Sequence, residues 1–195
     1  MSPDRPPDPI AVALTVADIF ERLNIDYFAG GSLASSIHGE PRSTVDIDLI
    51  ADLRPAHVAP VLSALEKDFY VTEEAMTEAI RFTASFNAIH LATAVKVDVY
   101  VAGADPFNAE RLAHRQRAQI WPEPPGELFV DTAEHIVLRK LEWYRRGDEV
   151  SDRQWRDVVG VLRVQQGQLD EARMDHWAER LGVTDLLQRA REDAR

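Results

Sequence analysis

Two segments of the chain, residues 44–51 and 93–102, alternate between apolar and polar side chains. Successive side chains of a β-strand point to opposite faces of its sheet, so this period of two predicts two strands that each bury one face. Carboxylates occupy the polar positions, with Asp46 and Asp48 in the first segment and Asp98 in the second. A fold that contains both strands must therefore carry acidic side chains on a sheet face that the apolar core does not occupy.

The other hydrophobic patterns predict an α/β (α+β) fold, in which a small mixed β-sheet with flanking helices is followed by a helical C-terminal segment. We expect helices over residues 10–23, 32–38 and 57–65, and strands over residues 25–29, 69–71 and 81–91, the last as one or two strands.

The clearest boundary signal is the proline-rich stretch 122–126. Beyond it the pattern turns helical, with sequences that resemble capping boxes at residues 131–134 and 151–154. We therefore expect three parts: a disordered N-terminus, residues 1–9; a core, residues 10–121; and a helical segment packed on that core, residues 122–195.

The composition is typical of a soluble globular protein, with 45% apolar and 28% charged residues. No apolar run approaches the roughly 20 residues that a membrane span needs. Residues 1–9 are rich in proline and lack an apolar signal region, so we expect a cytoplasmic protein. The chain has no cysteine, which excludes disulfides, zinc–thiolate sites and thiol catalysis.

The net charge of −11 limits the kinds of partner that we expect. Broad, non-specific binding of nucleic acid draws its affinity from lysine and arginine against phosphate, and an acidic chain disfavours it. A local basic pocket for a nucleotide or for one RNA end is compatible with this charge.

The paired carboxylates indicate a divalent-metal site. Residues two apart on a strand share one face, with about 6.5–7 Å between Cα atoms, so Asp46 and Asp48 can converge on a cation. Their mutual repulsion also favours a compensating charge. Mg²⁺ (or Mn²⁺) takes one or two carboxylates and completes its shell with water and phosphate oxygens; Asp98 would complete a two-metal arrangement and accept a proton from an attacking hydroxyl. The alternative is a solvated strand face without a metal.

A glycine turn precedes the acidic strand. Gly30 and Gly31 permit positive φ and close approach of backbone N–H groups to phosphate oxygens, and Ser32 opens a predicted helix whose N-terminus favours anions. The alternative is an ordinary strand-to-helix turn in which Ser32 caps the helix.

The run from Gly30-Gly31-Ser32 through His38-Gly39-Glu40-Pro41-Arg42-Ser43-Thr44-Val45 to Asp46-Ile47-Asp48-Leu49 resembles the signature of the polymerase-β-type nucleotidyltransferase superfamily. Within that superfamily the chain is similar to AbiEii-type toxin nucleotidyltransferases and related minimal proteins. The specific match covers residues 27–50. The resemblance implies a small mixed sheet with helices packed on it, triphosphate binding by the glycine-serine turn, and magnesium binding by Asp46, Asp48 and Asp98.

Lys140 lies inside the apolar face of a helix predicted over residues 132–146. A lysine in that position must extend to solvent or meet an anion. The anion is either a substrate phosphate, the role that the resemblance assigns to a lysine of the C-terminal helix, or a carboxylate of the next helix, Asp152 or Asp157.

Three further residues carry open alternatives. Arg42 either neutralises phosphate charge with its bidentate guanidinium or remains exposed or paired with Glu40. Lys96 shares the polar face of Asp98, where it either balances the carboxylates or touches substrate. His38 ends a predicted helix, where we favour a structural cap.

The leading functional hypothesis is a metal-dependent nucleotidyltransferase that moves a nucleoside monophosphate from a nucleoside triphosphate to an acceptor hydroxyl. The acceptor is a protein, an RNA such as tRNA, or a small molecule, and the AbiEii resemblance adds a toxin role with a cognate protein partner. The alternatives are a non-catalytic partner-binding protein on the same fold and a glycosyltransferase that uses an Asp-x-Asp motif.

Overall fold

A mixed β-sheet forms the centre of the protein. The computed structural model describes residues 9–41, 47–122 and 125–195, and within these ranges seven strands form one sheet with helices on both faces. The strands are β1 Tyr27–Ala29, β2 Ile47–Ala51, β3 Phe69–Tyr70, β4 Ser85–His90, β5 Lys96–Val101, β6 Gln116–Pro122 and β7 Pro125–Val130. The helices are α1 Pro9–Arg22, α2 Gly31–His38, α3 Val58–Leu65 (after a 3₁₀ turn, Pro55–His57), α4 Glu73–Phe82, α5 Pro106–His114, α6 Ala133–Arg146, α7 Asp152–Val164, α8 Glu171–Leu181 and α9 Thr184–Asp193.

The spatial order of the strands is β3-β4-β5-β2-β1-β7-β6. The two acid-bearing strands, β2 and β5, are parallel neighbours at the centre of the sheet, and β1 lies antiparallel to β2 on its other side. The predicted mixed sheet is therefore confirmed, and its topology brings the two alternating segments side by side.

The apolar face of these strands forms the main core. Ile47 and Leu49 of β2, with Val97 and Val99 of β5, are fully buried in the cluster that also contains the inner faces of α1, α3 and α4. Removing each such side chain from water stabilises the fold by about 1.5–3 kcal/mol. Because a strand alternates, this burial leaves Asp48 and Asp98 on the opposite face.

The opposite side carries α2, α5 and the helical segment α6–α9. Ala34 of α2 and Phe107 of α5 belong to the same buried cluster as the inner faces of these four helices. The helical segment is thus anchored directly on α2, the helix that opens from the glycine turn. None of the described helices is long and apolar enough to cross a membrane.

The strand predicted over residues 81–91 is confirmed where β4 lies. It is wrong for residues 81 and 82, which are the last two residues of α4. Thr72 caps that helix by accepting the N–H of Ala75 at 3.2 Å, and two glutamates occupy its first turn, where the helix dipole favours them. The helix is amphipathic, and it buries only Met76 and Ala79, so its apolar signal in the sequence is short.

The proline-rich stretch 122–126 connects two paired strands, β6 and β7, and residues 123 and 124 lie outside the described ranges. β7 continues the sheet by pairing in parallel with β1 through Ala29 and Val130. The helical segment therefore begins at α6, after the last strand of the sheet. The division of the chain into a core and a separate helical segment stays a prediction. Residues 1–8, most of the expected disordered N-terminus, also lie outside the described residues.

Candidate functional site

The glycine turn is held tightly against β2. The N–H of Gly30 donates to the carbonyl oxygen of Asp48 at 2.9 Å, and Gly30 is the N-cap residue of α2. Gly31 has a φ of +54°, and a Cβ atom placed there would lie 1.9 Å from Oδ2 of Asp48. Glycine is required at this position both by the backbone conformation and by the space that the carboxylate fills.

The N-terminus of α2 is open to an anion in one specific respect. Its N-cap, Gly30, brings no side-chain oxygen to the amide groups of the first turn, which most helices cap with serine, threonine or aspartate. Ser32 is therefore not the N-cap, so the cap role expected as the alternative for this residue is wrong. A helix N-terminus of this kind suits phosphate oxygens.

The two carboxylates of the described strands stand side by side. Asp48 of β2 and Asp98 of β5 are direct partners in the parallel register, so their backbones are about 4.8 Å apart. Both are partly buried, and the Asp98 side chain is 16% exposed. The sequence predicted that they share a face, and the sheet brings them together beside Gly31.

Lys96 forms an ion pair with Asp98, with 2.9 Å between Nζ and Oδ2. The two residues lie two apart on β5 and so share its polar face. This contact supports the first of the two roles expected for Lys96, a charge that balances the carboxylates. The lysine side chain is 46% exposed, which leaves it able to move when another cation or a substrate arrives.

Arg153 of α7 lies at the candidate site, and the sequence did not indicate it. Its Nη2 donates to Oγ of Ser32 at 3.2 Å, across 121 residues of sequence. The first turn of α7 thus places a guanidinium beside the first turn of α2. Arginine binds phosphate oxygens in a bidentate manner, yet nothing in the local sequence of α7 shows which helix it faces.

Lys140 is buried, with 9% exposure, and its Nζ lies 2.8 Å from Oδ2 of Asp157 on α7. The structure therefore shows the salt bridge that the sequence offered as one of two alternatives, and it selects Asp157 rather than Asp152. Asp157 lies one helical turn after Arg153, so α7 links Lys140 to the Ser32 end of the glycine turn. A phosphate-binding role for Lys140 stays a prediction.

Two of the predicted site residues, Arg42 and Asp46, lie outside the described residues. In the part of the chain that the structure describes, no group of three or more histidine, aspartate or glutamate side chains is arranged to hold a metal ion. Among the described residues, the carboxylates next to the glycine turn are Asp48 and Asp98. Mg²⁺ prefers one or two carboxylate ligands and fills its remaining coordination positions with water and phosphate oxygens, so these two residues match its preference.

Asn87 of β4 extends this row of polar side chains. It is the direct antiparallel partner of Asp98, and it is exposed. Directly opposed residues of an antiparallel pair share one face, with Cβ atoms about 4.5–5.5 Å apart. The row therefore runs from Gly31 through Asp48 and Asp98 to Asn87, with α2 at one end and open sheet at the other.

No protein-family model matches the sequence, and no curated protein matches it either. Solved structures do match. An antigenic nucleotidyltransferase-like protein from Paracoccidioides brasiliensis superposes with a TM-score of 0.56 at 17% identity, covering 95% of this chain and 92% of that one. The solution structure of the antibiotic-resistance factor ANT(2'')-Ia superposes with a TM-score of 0.50 at 16% identity, covering 96% of each chain. Its crystal structure with adenylyl-2''-tobramycin gives 0.55 at 12% identity, over 88% of this chain and 97% of that one. Taken with the strand order and the helices around it, these likenesses show that the protein has the nucleotidyltransferase fold.

Proposed function

We propose that the protein is a nucleotidyltransferase that moves a nucleoside monophosphate from a nucleoside triphosphate to an acceptor hydroxyl. The observation that carries this proposal is the contact between the glycine turn and the acidic row: Gly31 touches the carboxylate of Asp48, which stands beside Asp98. This contact places a helix N-terminus that suits phosphate next to two carboxylates that suit a divalent cation. The nucleotidyltransferase fold supports the same activity.

The triphosphate would lie at the N-terminus of α2. The N–H of Gly30 is already bonded to the carbonyl oxygen of Asp48, so Gly30 serves by holding the turn against β2. The backbone N–H of Gly31 can approach a phosphate oxygen closely, and the Ser32 hydroxyl can donate to another. Arg153, which already reaches Ser32, is positioned to transfer its hydrogen bond to the outer phosphate. Lys140, a cation inside an apolar helix face, and Arg42, whose guanidinium suits bidentate contact, are further phosphate ligands in this proposal.

The carboxylates would hold Mg²⁺ (or Mn²⁺). Asp48 and Asp98 fit as ligands because they are adjacent and partly buried, and Asp46 joins them in the proposal from its place two residues before Asp48. The acceptor hydroxyl would bond to the α-phosphorus as the α–β phosphoanhydride bond breaks and pyrophosphate leaves. When bound, the metal would lower the pKa of that hydroxyl and stabilise charge on the leaving pyrophosphate. Asp98 accepts the proton of that hydroxyl, and Lys96 offsets part of the negative charge of the row.

The acceptor would approach over β4. α2 covers the Asp48 end of the row, whereas the Asn87 end is exposed, so an incoming hydroxyl can reach Asp98 from that side. The acceptor is a protein, tRNA or a small molecule. A small molecule is the first to test, because ANT(2'')-Ia has been solved with adenylyl-2''-tobramycin.

The decisive experiment measures nucleotide binding first and transfer second. Calorimetry with each of the four triphosphates, with and without Mg²⁺, should show binding that requires the metal and is lost in Asp48→Asn and in Asp98→Asn. The matched control is Asp52→Asn, which removes a carboxylate just beyond β2 that pairs with Arg54 instead. Unchanged binding in the first two variants would refute the metal site.

Transfer is tested with α-labelled triphosphates and a cell lysate separated into protein, RNA and small molecules. Label in one fraction names the acceptor class, and the Asp98→Asn protein should leave all three unlabelled. Intact triphosphate with no label in any fraction would favour the non-catalytic partner-binding alternative.

A toxin role and a cytoplasmic location belong to this proposal as its finer parts. The location is proposed because the cytoplasm supplies the nucleoside triphosphates that the proposed activity uses. The toxin role rests on the AbiEii resemblance, and induced expression tests it: the wild type should arrest growth, whereas Asp48→Asn at equal protein level should not. Growth that is unaffected by the wild type would remove the toxin role and leave the transferase activity in place.

A further inference from the structure

A buried polar cluster lies beneath the glycine turn, and Asp131 is its centre. This residue precedes the N-cap of α6 and is fully buried. Its N–H donates to the carbonyl oxygen of Ala29 at 3.0 Å, and its own carbonyl oxygen accepts a hydrogen bond from Nε2 of His38 at 2.6 Å. Ala29 ends β1 and His38 ends α2, so one residue bonds both ends of the unit that contains the turn.

The side chain of Asp131 is fixed just as firmly. Oδ2 accepts from both Nε and Nη2 of Arg111, at 3.0 and 2.7 Å, and Oδ1 lies 3.6 Å from Nδ1 of His135. Burial alone would raise the pKa of Asp131, but the charge of Arg111 and the neighbouring His135 outweigh it and hold the pKa below its ordinary value. The carboxylate is therefore the charged partner of a buried ion pair.

Arg111 reaches the turn itself. Its guanidinium lies over the ring of Phe28 at 4.5 Å, and Nη2 is 3.6 Å from the point where a Cβ atom on Gly30 would stand. The arginine is 3% exposed, so it supports the turn from inside the protein. A buried ion pair is weak evidence for stability, because desolvation offsets much of the attraction between the charges. The Arg111–Asp131 pair therefore needs an explanation other than stability. Arg111 contacts the glycine turn, and Asp131 bonds both ends of the unit that contains the turn.

We infer that Asp131, held by Arg111, is a positioning residue that sets the placement of Gly30 and Gly31 over the acidic row, with His38 as its contact to the far end of α2. The inference rests on the proposed function in one respect: the glycine turn is taken to be the triphosphate site. It gives the buried cluster a role in nucleotide affinity that acts through the glycine turn.

His38 offers the cleanest test, because the amide of glutamine can donate a hydrogen bond in place of Nε2. The measurements are the dissociation constant for Mg-ATP by calorimetry and the melting temperature of each protein. His38→Ala should weaken Mg-ATP binding about tenfold, the loss expected for one hydrogen bond. His38→Gln should restore binding to within about threefold of the wild type.

The ion pair is tested by a single and a double variant. Asp131→Asn leaves Arg111 buried without its carboxylate, so both the melting temperature and the affinity should fall. Arg111→Met with Asp131→Asn removes both charges and should recover much of the melting temperature, since a buried pair is replaceable by uncharged groups. The affinity should nevertheless remain at least fivefold weaker; recovery of both quantities would show a purely structural pair and overturn the inference.

Leu187→Ala is the matched control for lost stability. Leu187 is buried in α9, within the helical cluster formed by α6–α9. This variant should lower the melting temperature and leave Mg-ATP affinity unchanged. If the wild-type protein binds no Mg-triphosphate, the proposed function is refuted. If the wild type binds and the His38 and Asp131 variants bind with the same affinity, the positioning role alone is refuted.

Discussion

Gly31 and Asp48 are in such close contact that the Oδ2 atom of the aspartate occupies the space where a side chain at position 31 would begin. The virtual Cβ lies 1.9 Å from that oxygen and 2.9 Å from Cγ. The residue that shapes the glycine turn therefore also fixes where the carboxylate can stand. Any change at position 31 moves the carboxylate as well.

Gly31→Ala should separate function from stability. The clashing atoms belong to the end of a short side chain that can rotate, so the main cost to stability is the positive φ, about 1–2 kcal/mol. Asp48 must turn away, however, and triphosphate binding should be lost. The control is Gly167→Ala, which has a φ of +78° and no atom within 4 Å of the new Cβ, so it carries the strain without the clash. Urea unfolding and calorimetry on both variants check the prediction, and equal nucleotide affinity in the two would contradict it.

Arg153→Gln should weaken nucleotide binding with little effect on the fold. The residue is exposed and donates to Ser32, and surface substitutions of this kind change stability by about 0.5 kcal/mol or less. Loss of a charge-assisted contact to phosphate should cost about 1.5–3 kcal/mol of binding free energy.

The companion variant for Arg153 is Arg156→Gln on the same helix, whose guanidinium bonds only to the backbone of Asp152 among the described contacts. We expect calorimetry to show weaker Mg-triphosphate binding for Arg153→Gln and unchanged binding for Arg156→Gln. An equal loss in both would point to the general charge of α7 rather than to the Ser32 contact.

Lys140→Met should destabilise the protein by about 3 kcal/mol, because it leaves Asp157 in a buried position without this cation. Adding Asp157→Asn should return much of that loss. The double variant then reports on function: triphosphate affinity that stays low assigns Lys140 to phosphate binding, and affinity that recovers with stability assigns it to the salt bridge alone. Urea unfolding and calorimetry provide the two measurements.

The stability of the protein should depend on pH through Asp131. Its pKa in the folded state lies below the ordinary value of about 3.9, so the carboxylate contributes stability that is complete above that value and is lost as the pH falls through the folded pKa. The free energy of unfolding should therefore decline more steeply below pH 4 in the wild type than in Asp131→Asn. Urea titrations at pH 6, 4 and 3 test this, and parallel curves would show that Asp131 does not account for the acid sensitivity.

The central strands could be predicted from sequence because their pattern is local. Alternation over a few residues places Asp48 and Asp98 on the polar face of their strands, because the flanking residues Ile47, Leu49, Val97 and Val99 are buried in the core on the other face. The position of Lys140 inside an apolar helix face is a local signal of the same kind. It left extension to solvent or contact with an anion as alternatives, and the structure shows the second, with Asp157 as the anion.

Arg153 and Asp131 could not be predicted because their roles depend on which elements pack together. Arg153 acts on Ser32 only because α7 lies against α2, and Asp131 binds Ala29 only because β7 pairs with β1. The capping box predicted over residues 131–134 would make Asp131 the N-cap of α6, but the N-cap is the next residue, Thr132, which accepts the N–H of His135 at 3.3 Å. The local prediction was therefore wrong by one residue, and it gave no sign of the long-range role of Asp131.

The contact between Ser32 and Arg153 also sets when the proposed site can first exist during synthesis. The two residues are 121 positions apart, and a domain generally folds as a unit once its chain has left the ribosome. A nascent chain that has emerged through β5 holds the glycine turn and both carboxylate strands, yet it lacks the helix that supplies the guanidinium. The proposed site is completed only after α7 emerges, so a chain that ends before α7 would lack the guanidinium that the proposed site uses.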